Sequence, residues 1–266
     1  MKVILANIIA IYRRELQSYF VSPFAYIVAG VFWLLAGLIL FILLLAPNVG
    51  FIARVALVDQ LGSTDPIDLP MAFLQSYLGV FGSITFFFLP ILSMGLYSEE
   101  RKRGTLELLS TSPITNWAVA VGKLLGVVTF FMTMILPLMI YEAVVFAVSD
   151  PPISPLMIFV GHGGLILLAA AGLSMGMFIS SLTDNTILSA ILTFALMLGL
   201  STLSLVGSGI GGPVGGALQH LSLLEHYTTW IQGTPDTKSI VLFLSYILLG
   251  IFLTAQSIEA FRFQRT

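Results

Sequence analysis

Chemistry needs side chains that attack, move protons or hold a ligand, and this 266-residue chain offers few of them. It has no cysteine, which excludes thiolate catalysis, disulfides and cysteine-held metals. The three histidines, His162, His220 and His226, show no H-E-x-x-H spacing. A weak site at His220 and His226 beside Glu225 is the most they offer, and we assign no metal ligand. Ser174 and Ser204 have no identifiable base, so no residue is read as catalytic. A phosphate loop, G-x-x-x-x-G-K-[ST], is also missing. The Gly122-Lys123 pair lacks both the upstream glycine and the following hydroxyl, so any ATP and Mg must be held by another chain and no cofactor is expected on this one.

Two groups of residues remain. Glu142 and His162 fall inside long apolar runs, where ionisable side chains are costly and therefore candidates for a translocation path. The structural alternative places Glu142 near an outer interface, about two turns before Asp150, and lets His162, flanked by Gly161, Gly163 and Gly164, hydrogen-bond across a close helix contact. The second group is the charged stretch from Ser98 to Lys123, S-E-E-R-K-R-G-T-L-E-L-L-S-T-S-P-I-T-N-W-A-V-A-V-G-K. Glu99 and Arg103 stand four apart and can pair on a helix. Gly104 bends the chain, Thr105 to Leu109 can form a short helix presenting Leu106, Leu108 and Leu109, and Pro113 ends it. Such an amphipathic element between two spans gives a partner protein something to push on; the plain alternative is a basic loop that fixes topology and touches lipid headgroups.

The elements that position these groups follow from composition. Hydrophobic residues make up 58% of the chain and charged residues 9%, against about 25% in soluble domains, and mean hydropathy is +1.02. Apolar runs approach the roughly 20 residues that cross a bilayer. From Val3 to Phe20, Leu5, Ile8, Ile9, Tyr12, Leu16 and Tyr19 recur at helical spacing opposite Asn7, Arg14 and Gln17, which predicts an interfacial helix over 3–20. Spans are predicted over about 24–46, 73–97, 124–148, 156–182, 187–206 and 240–260, with Lys123 marking the start of the third and Pro90 and Pro137 as kinks. Gly172 and Gly176 form a small-xxx-small pair. The glycine-rich 207–216 reads as a loop, and 207–233 as an outer re-entrant or interfacial segment. Trp33 lies too deep in its span to serve as an interfacial anchor.

Charge sets the orientation. Lys2, Arg13, Arg14, Arg101, Lys102, Arg103, Lys123, Arg262 and Arg265 collect on one face, against Arg54 and Lys238 on the other, so both termini are expected in the cytoplasm of a multi-pass inner (plasma) membrane protein. The net charge of −2 gives no basic face for nucleic acid.

The pattern E-E-R-K-R-G-T-L-E-L-L-x-T-x-P-I followed by G-K resembles the segment after the second span of ABC-2 type transporter permeases, in the branch that includes the gliding-motility permeases. Y-R-R-E-L-Q-S-Y-F-V-S-P-F-A-Y resembles that branch's interfacial helix, and His226 to Gly233 with Asp236 its outer motif before the last span. The resemblance implies an all-α, ABC-2 (type V exporter-like) permease of six transmembrane helices in a single domain. It also implies a second permease copy or relative, a cytoplasmic ABC ATPase, and coupling through Glu99, Glu100, Arg101, Arg103, Gly104, Thr105, Leu106, Glu107, Leu108, Leu109 and Pro113, with Arg13, Arg14 and Glu15 of the interfacial helix at the same contact. Substrate export or conformational work are both compatible with it, as are an outer-side accessory protein and bound lipid. A membrane scaffold, a force-transmitting subunit or an intramembrane enzyme are the alternatives.

Overall fold

The structure, a computed structural model, describes residues 2–47, 50–60, 69–106, 114–147 and 155–263. These form eleven helices and, among the described residues, no strand: α1 (Lys2–Val21), α2 (Pro23–Leu45), α3 (Phe51–Gln60), α4 (Leu69–Ser93), α5 (Gly95–Lys102), α6 (Asn116–Ala147), α7 (Pro155–Leu182), α8 (Thr186–Ile210), α9 (Gly212–His220), α10 (Leu223–Ile231) and α11 (Thr237–Phe263). Six helical stretches are long and apolar enough to cross a membrane, with α4 and α5 together making one of them, Pro70–Lys102. Helices are the expected solution, because lipid offers the backbone no hydrogen bonds and each segment must satisfy its own.

Local sequence fixes the helix starts. Pro23 occupies the first turn of α2, where its missing N–H is no loss. Asn185, in the tight polar turn after α7, caps α8 by accepting from the amides of Ile187 (3.0 Å) and Leu188 (3.2 Å). Ser222 accepts from the Glu225 amide at the start of α10.

α7 is the central helix, packed against α4, α5, α6, α8, α10 and, most extensively, α11. Its small residues make this contact pattern feasible. A Cβ on Gly172 would stand 2.4 Å from Leu89, one on Gly176 2.2 Å from the Ser93 hydroxyl, and one on Gly250 of α11 2.6 Å from the Ser174 backbone. The flanking α2 and α8 keep broad apolar faces exposed, including Ile27, Leu34 and Phe41 on α2 and Ile187, Ile191 and Leu205 on α8.

Three segments differ from their sequence reading. The helix of the third span begins at Asn116, before the expected span start near Leu124, and Lys123 lies buried within it rather than at its edge. The second span continues through Lys102. Pro90 removes an N–H from α4, the helix breaks at Met94, and Ser180 of α7 satisfies the joint: its hydroxyl accepts from the amides of Tyr97 and Ser98, both 3.1 Å, and donates to the Met94 carbonyl at 2.8 Å. The glycine-rich 207–216 is a helical hairpin, not a loop. Gly211 and Gly212 turn it with φ of 66° and 64°, and Gly207 and Gly215 let the two backbones touch, since a Cβ on either would fall within 2.5 Å of the other's carbonyl oxygen. Trp33, misplaced as an anchor, donates its indole N–H to the Met134 carbonyl at 2.9 Å and joins α2 to α6.

Gly250→Leu is expected to lower the melting temperature of the detergent-purified protein, by about 1–3 kcal/mol or more of overpacking against immovable backbone. Gly30→Ala, whose Cβ would have nothing within 4 Å, should leave it unchanged or slightly raised. Equal melting of the two variants would contradict the close α7–α11 packing.

Candidate functional site

At the basic end of the bundle, α1, the tail of α5 and the start of α6 converge on one ammonium group. Lys123 is 3% exposed, and its Nζ donates to Glu15 Oε1 of α1 (2.9 Å), Glu100 Oε1 of α5 (3.0 Å) and the Leu96 carbonyl (2.9 Å). A lysine has three N–H donors, and all three are engaged. Its Nζ also lies 5.0 Å from the centre of the Tyr97 ring. One cation between two carboxylates leaves a local charge of −1, with both acids largely covered.

Glycine brings α1 close enough for this contact. Gly122 and Gly126 stand one turn apart on α6; a Cβ on the first would meet Ile11 at 2.8 Å, and on the second the Glu15 Cβ at 2.8 Å. Further along, Tyr19 and Phe20 pack on Phe130, and the Tyr19 hydroxyl donates to the Leu92 carbonyl at 2.9 Å. Burial first, then the charges of Glu15 and Glu99, push that phenol far above its ordinary range, so it stays a donor. The predicted interfacial helix is therefore docked on α6 and not merely laid on lipid.

α5 ends in a Schellman turn: the Thr105 amide bonds to the Glu100 carbonyl (3.0 Å) and the Gly104 amide to the Arg101 carbonyl (3.2 Å), with Gly104 at φ 70°. Arg101 leaves this turn toward the core, donating to the Ser181 carbonyl (2.8 Å) and lying 4.5 Å over the Phe261 ring, which ties α5 to the ends of α7 and α11. Arg103 pairs with Glu99 at 3.2 Å, a solvent-exposed contact of little energetic weight. Leu106, expected on the face presented to a partner, is instead buried in the core and so is not on the surface for docking. Glu107, Leu108, Leu109 and Pro113 lie outside the described residues. Arg13 and Arg14 are exposed on α1. A cavity of about 450 Å³ opens beside the clamp, lined by Arg14, Ser18, Tyr19, Glu99, Glu100 and Arg103 among others.

Of the residues singled out in the sequence, the structure joins Glu15, Glu100 and Arg101 to the helix ends and leaves Arg13, Arg14, Glu99 and Arg103 on the surface. Lys123 itself escaped the sequence reading as a site. A lone lysine inside an apolar run, next to glycines spaced four apart, was the signal available.

The other two candidates sit elsewhere. Glu142 and His162 are 0% and 1% exposed and face each other across α6 and α7, Nδ1 to Oε2 3.5 Å. His220 and His226 pack edge to face at 5.0 Å. Both ring nitrogens of His226 are engaged, Nε2 with the His220 carbonyl (3.0 Å) and Nδ1 with the Ser239 hydroxyl (2.8 Å), while Glu225 accepts from Ser204. Among the described residues no group of three potential ligands gathers around a common point.

Residues 63–231 match the family described as ABC-2 family transporter protein. That is more than half of the chain, and with six apolar helices it shows that this multi-pass membrane protein belongs to the ABC-2 transporter family. It is a permease component of an ABC transporter, a membrane subunit without catalysis of its own. The comparison with curated proteins found no match.

Lys123→Met should lower stability by about 3 kcal/mol or more, because it leaves two carboxylates facing each other without their cation. Adding Glu15→Gln and Glu100→Gln should recover most of the loss. Thermal unfolding in detergent measures both, and an unchanged melting temperature in the single variant would show that the clamp holds nothing.

Proposed function

We propose that this chain is the permease half of an exporter in the inner (plasma) membrane, with its basic end in the cytoplasm, paired with a second permease copy or relative and driven by separate ABC ATPase subunits that bind ATP and Mg. The ATPase seats against the segment from Glu99 to Leu109, with Arg13 and Arg14 of α1 at the rim of the same contact.

One observation carries this reading. The Lys123 clamp joins α1, α5 and α6, and Arg101 extends the connection to α7 and α11. A push on the tail of α5 therefore moves the second and third spans and the interfacial helix as one body, which is the lever a nucleotide-driven partner requires. The exposed Glu99 and Arg103 present charge for docking, whereas the buried clamp transmits force; the two tasks fall to different residues. Rearrangement of the spans then exposes the substrate path alternately to the two sides, and Glu142 and His162 are its candidate polar lining.

Copurification with the ATPase and measurement of permease-stimulated ATP hydrolysis separate docking from transmission. Charge reversal of the surface residues, Arg13→Glu with Arg14→Glu and Glu99→Lys, should weaken association. The neutral clamp variant, Lys123→Met/Glu15→Gln/Glu100→Gln, should still associate but lose stimulation by roughly fivefold or more, the lower range of coupling between distant sites. Full stimulation in the clamp variant would remove the lever from the mechanism, and absence of any ATPase in the purified assembly would remove the exporter.

A further inference from the structure

The buried pair between α6 and α7 has more polar atoms than partners. His162 Nδ1 lies 2.9 Å from the Ile158 carbonyl, and since a carbonyl only accepts, that nitrogen carries a hydrogen. The same nitrogen lies 3.5 Å from Glu142 Oε2, beyond a normal hydrogen bond. Neither oxygen of Glu142 nor the Nε2 of His162 has a hydrogen-bond partner among the described residues, and the Trp230 indole nitrogen of α10, which packs against Gly163 and Gly164 beside His162, is likewise without one.

The surroundings supply no compensating charge. Among the described residues no lysine or arginine forms an ion pair with Glu142. The titratable groups facing it from the packed elements are tyrosines, Tyr77 on α4 and Tyr227 on α10, with Tyr141 on its own helix. Tyr77 and Tyr227 direct their hydroxyl hydrogens elsewhere, to the carbonyls of Ala36 (3.3 Å) and Leu78 (2.8 Å).

We propose that Glu142 and His162 together form a proton-binding site that holds one exchangeable proton at neutral pH. Counting charge gives the reason. With no such proton the site contains a bare carboxylate beside a neutral imidazole, a net −1 with no donor to stabilise it. With two, a carboxylic acid stands beside an imidazolium, a net +1 with no counterion. Only the singly protonated pair is neutral, and because Nδ1 gives its hydrogen to Ile158 and stands 3.5 Å from Oε2, with no hydrogen bond joining the two side chains, we assign the proton to the carboxyl and a neutral ring to His162. Glu142 lies five residues before the end of α6 at Ala147, about 7.5 Å at 1.5 Å per residue, so that end of the helix is the nearer one for exchange. This does not rest on the coupling role of the basic end.

The test uses the purified full-length permease in lipid, without any ATPase. Infrared spectroscopy at neutral pH should show the C=O stretch of a protonated carboxylic acid that disappears in Glu142→Gln, and ¹⁵N NMR of labelled histidine, with His162→Asn for assignment, should show a neutral His162 imidazole. An imidazolium signal in place of the acid band would keep the single-proton count and relocate the proton. A carboxylate together with a neutral imidazole at neutral pH would overturn the proposal, as would an acid together with an imidazolium. Should Glu142→Gln fail to insert, Glu142→Asp supplies the same reading by shifting the band without removing it.

Discussion

A single buried ammonium group holds the basic end of this permease together. Lys123 is covered on all sides, and a charge in that position is tolerable only while every N–H has an acceptor and the carboxylates are near enough to balance it. The requirement is strict, and it constrains three helices at once. α1 must come close enough for Glu15 to reach, which needs Gly122 and Gly126 on the facing surface of α6. α5 must continue as helix past the break at Met94 so that Glu100 arrives on the correct side, which needs Ser180 to satisfy the joint. The first part of the charged stretch between these two spans, through Lys102, is thus a helical extension of the second one.

Rigidity at that end contrasts with the construction of the rest of the bundle. α7 serves as the axle, and small residues set its distances to α4, α8 and α11, with the Ser174 hydroxyl donating across to the Tyr246 carbonyl of α11 at 3.2 Å. Apolar side chains gain nothing by leaving lipid for a lipid-like interior, so close backbone approach and the dispersion contacts it allows must do the stabilising. Such contacts are short in range. They hold one arrangement well and resist small displacements.

Toward the opposite end, α10 reaches into the bundle instead of lying over it. Tyr227 fits against Gly82 and bonds the Leu78 carbonyl, and Trp230 covers Gly163 and Gly164. Trp230 thus lies against the stretch of α7 that carries His162, and Tyr227 against the facing part of α4. The clamp and the buried pair are built on opposite principles: the Lys123 ammonium has an acceptor for every N–H, whereas both Glu142 oxygens and the His162 Nε2 have no hydrogen-bond partner among the described residues.

Much of this was legible in the residues alone. Long uncharged runs dictate spanning helices because a helix satisfies its whole backbone within one segment in lipid, so the all-α class and the number of candidate spans could be read directly, and the charged string from Glu99 to Gly104 carried the family resemblance that the match over 63–231 now shows. Boundaries were less secure wherever a single residue had two readings. Lys123 looked like the edge of a span, and the glycines at 207–216 looked like a loop, because sequence shows a charge or a missing side chain but not what stands opposite it. Partners are the property of a packed arrangement: Glu15, Glu100 and Lys123 are separated along the chain by tens of residues, as are Ser180 and Met94. The chain by itself therefore determined that this protein lives in a membrane and where its polar groups fall, whereas only the tertiary structure decided which of those groups neutralise one another, since that depends on distances of about 3 Å between helices that the sequence never brings together.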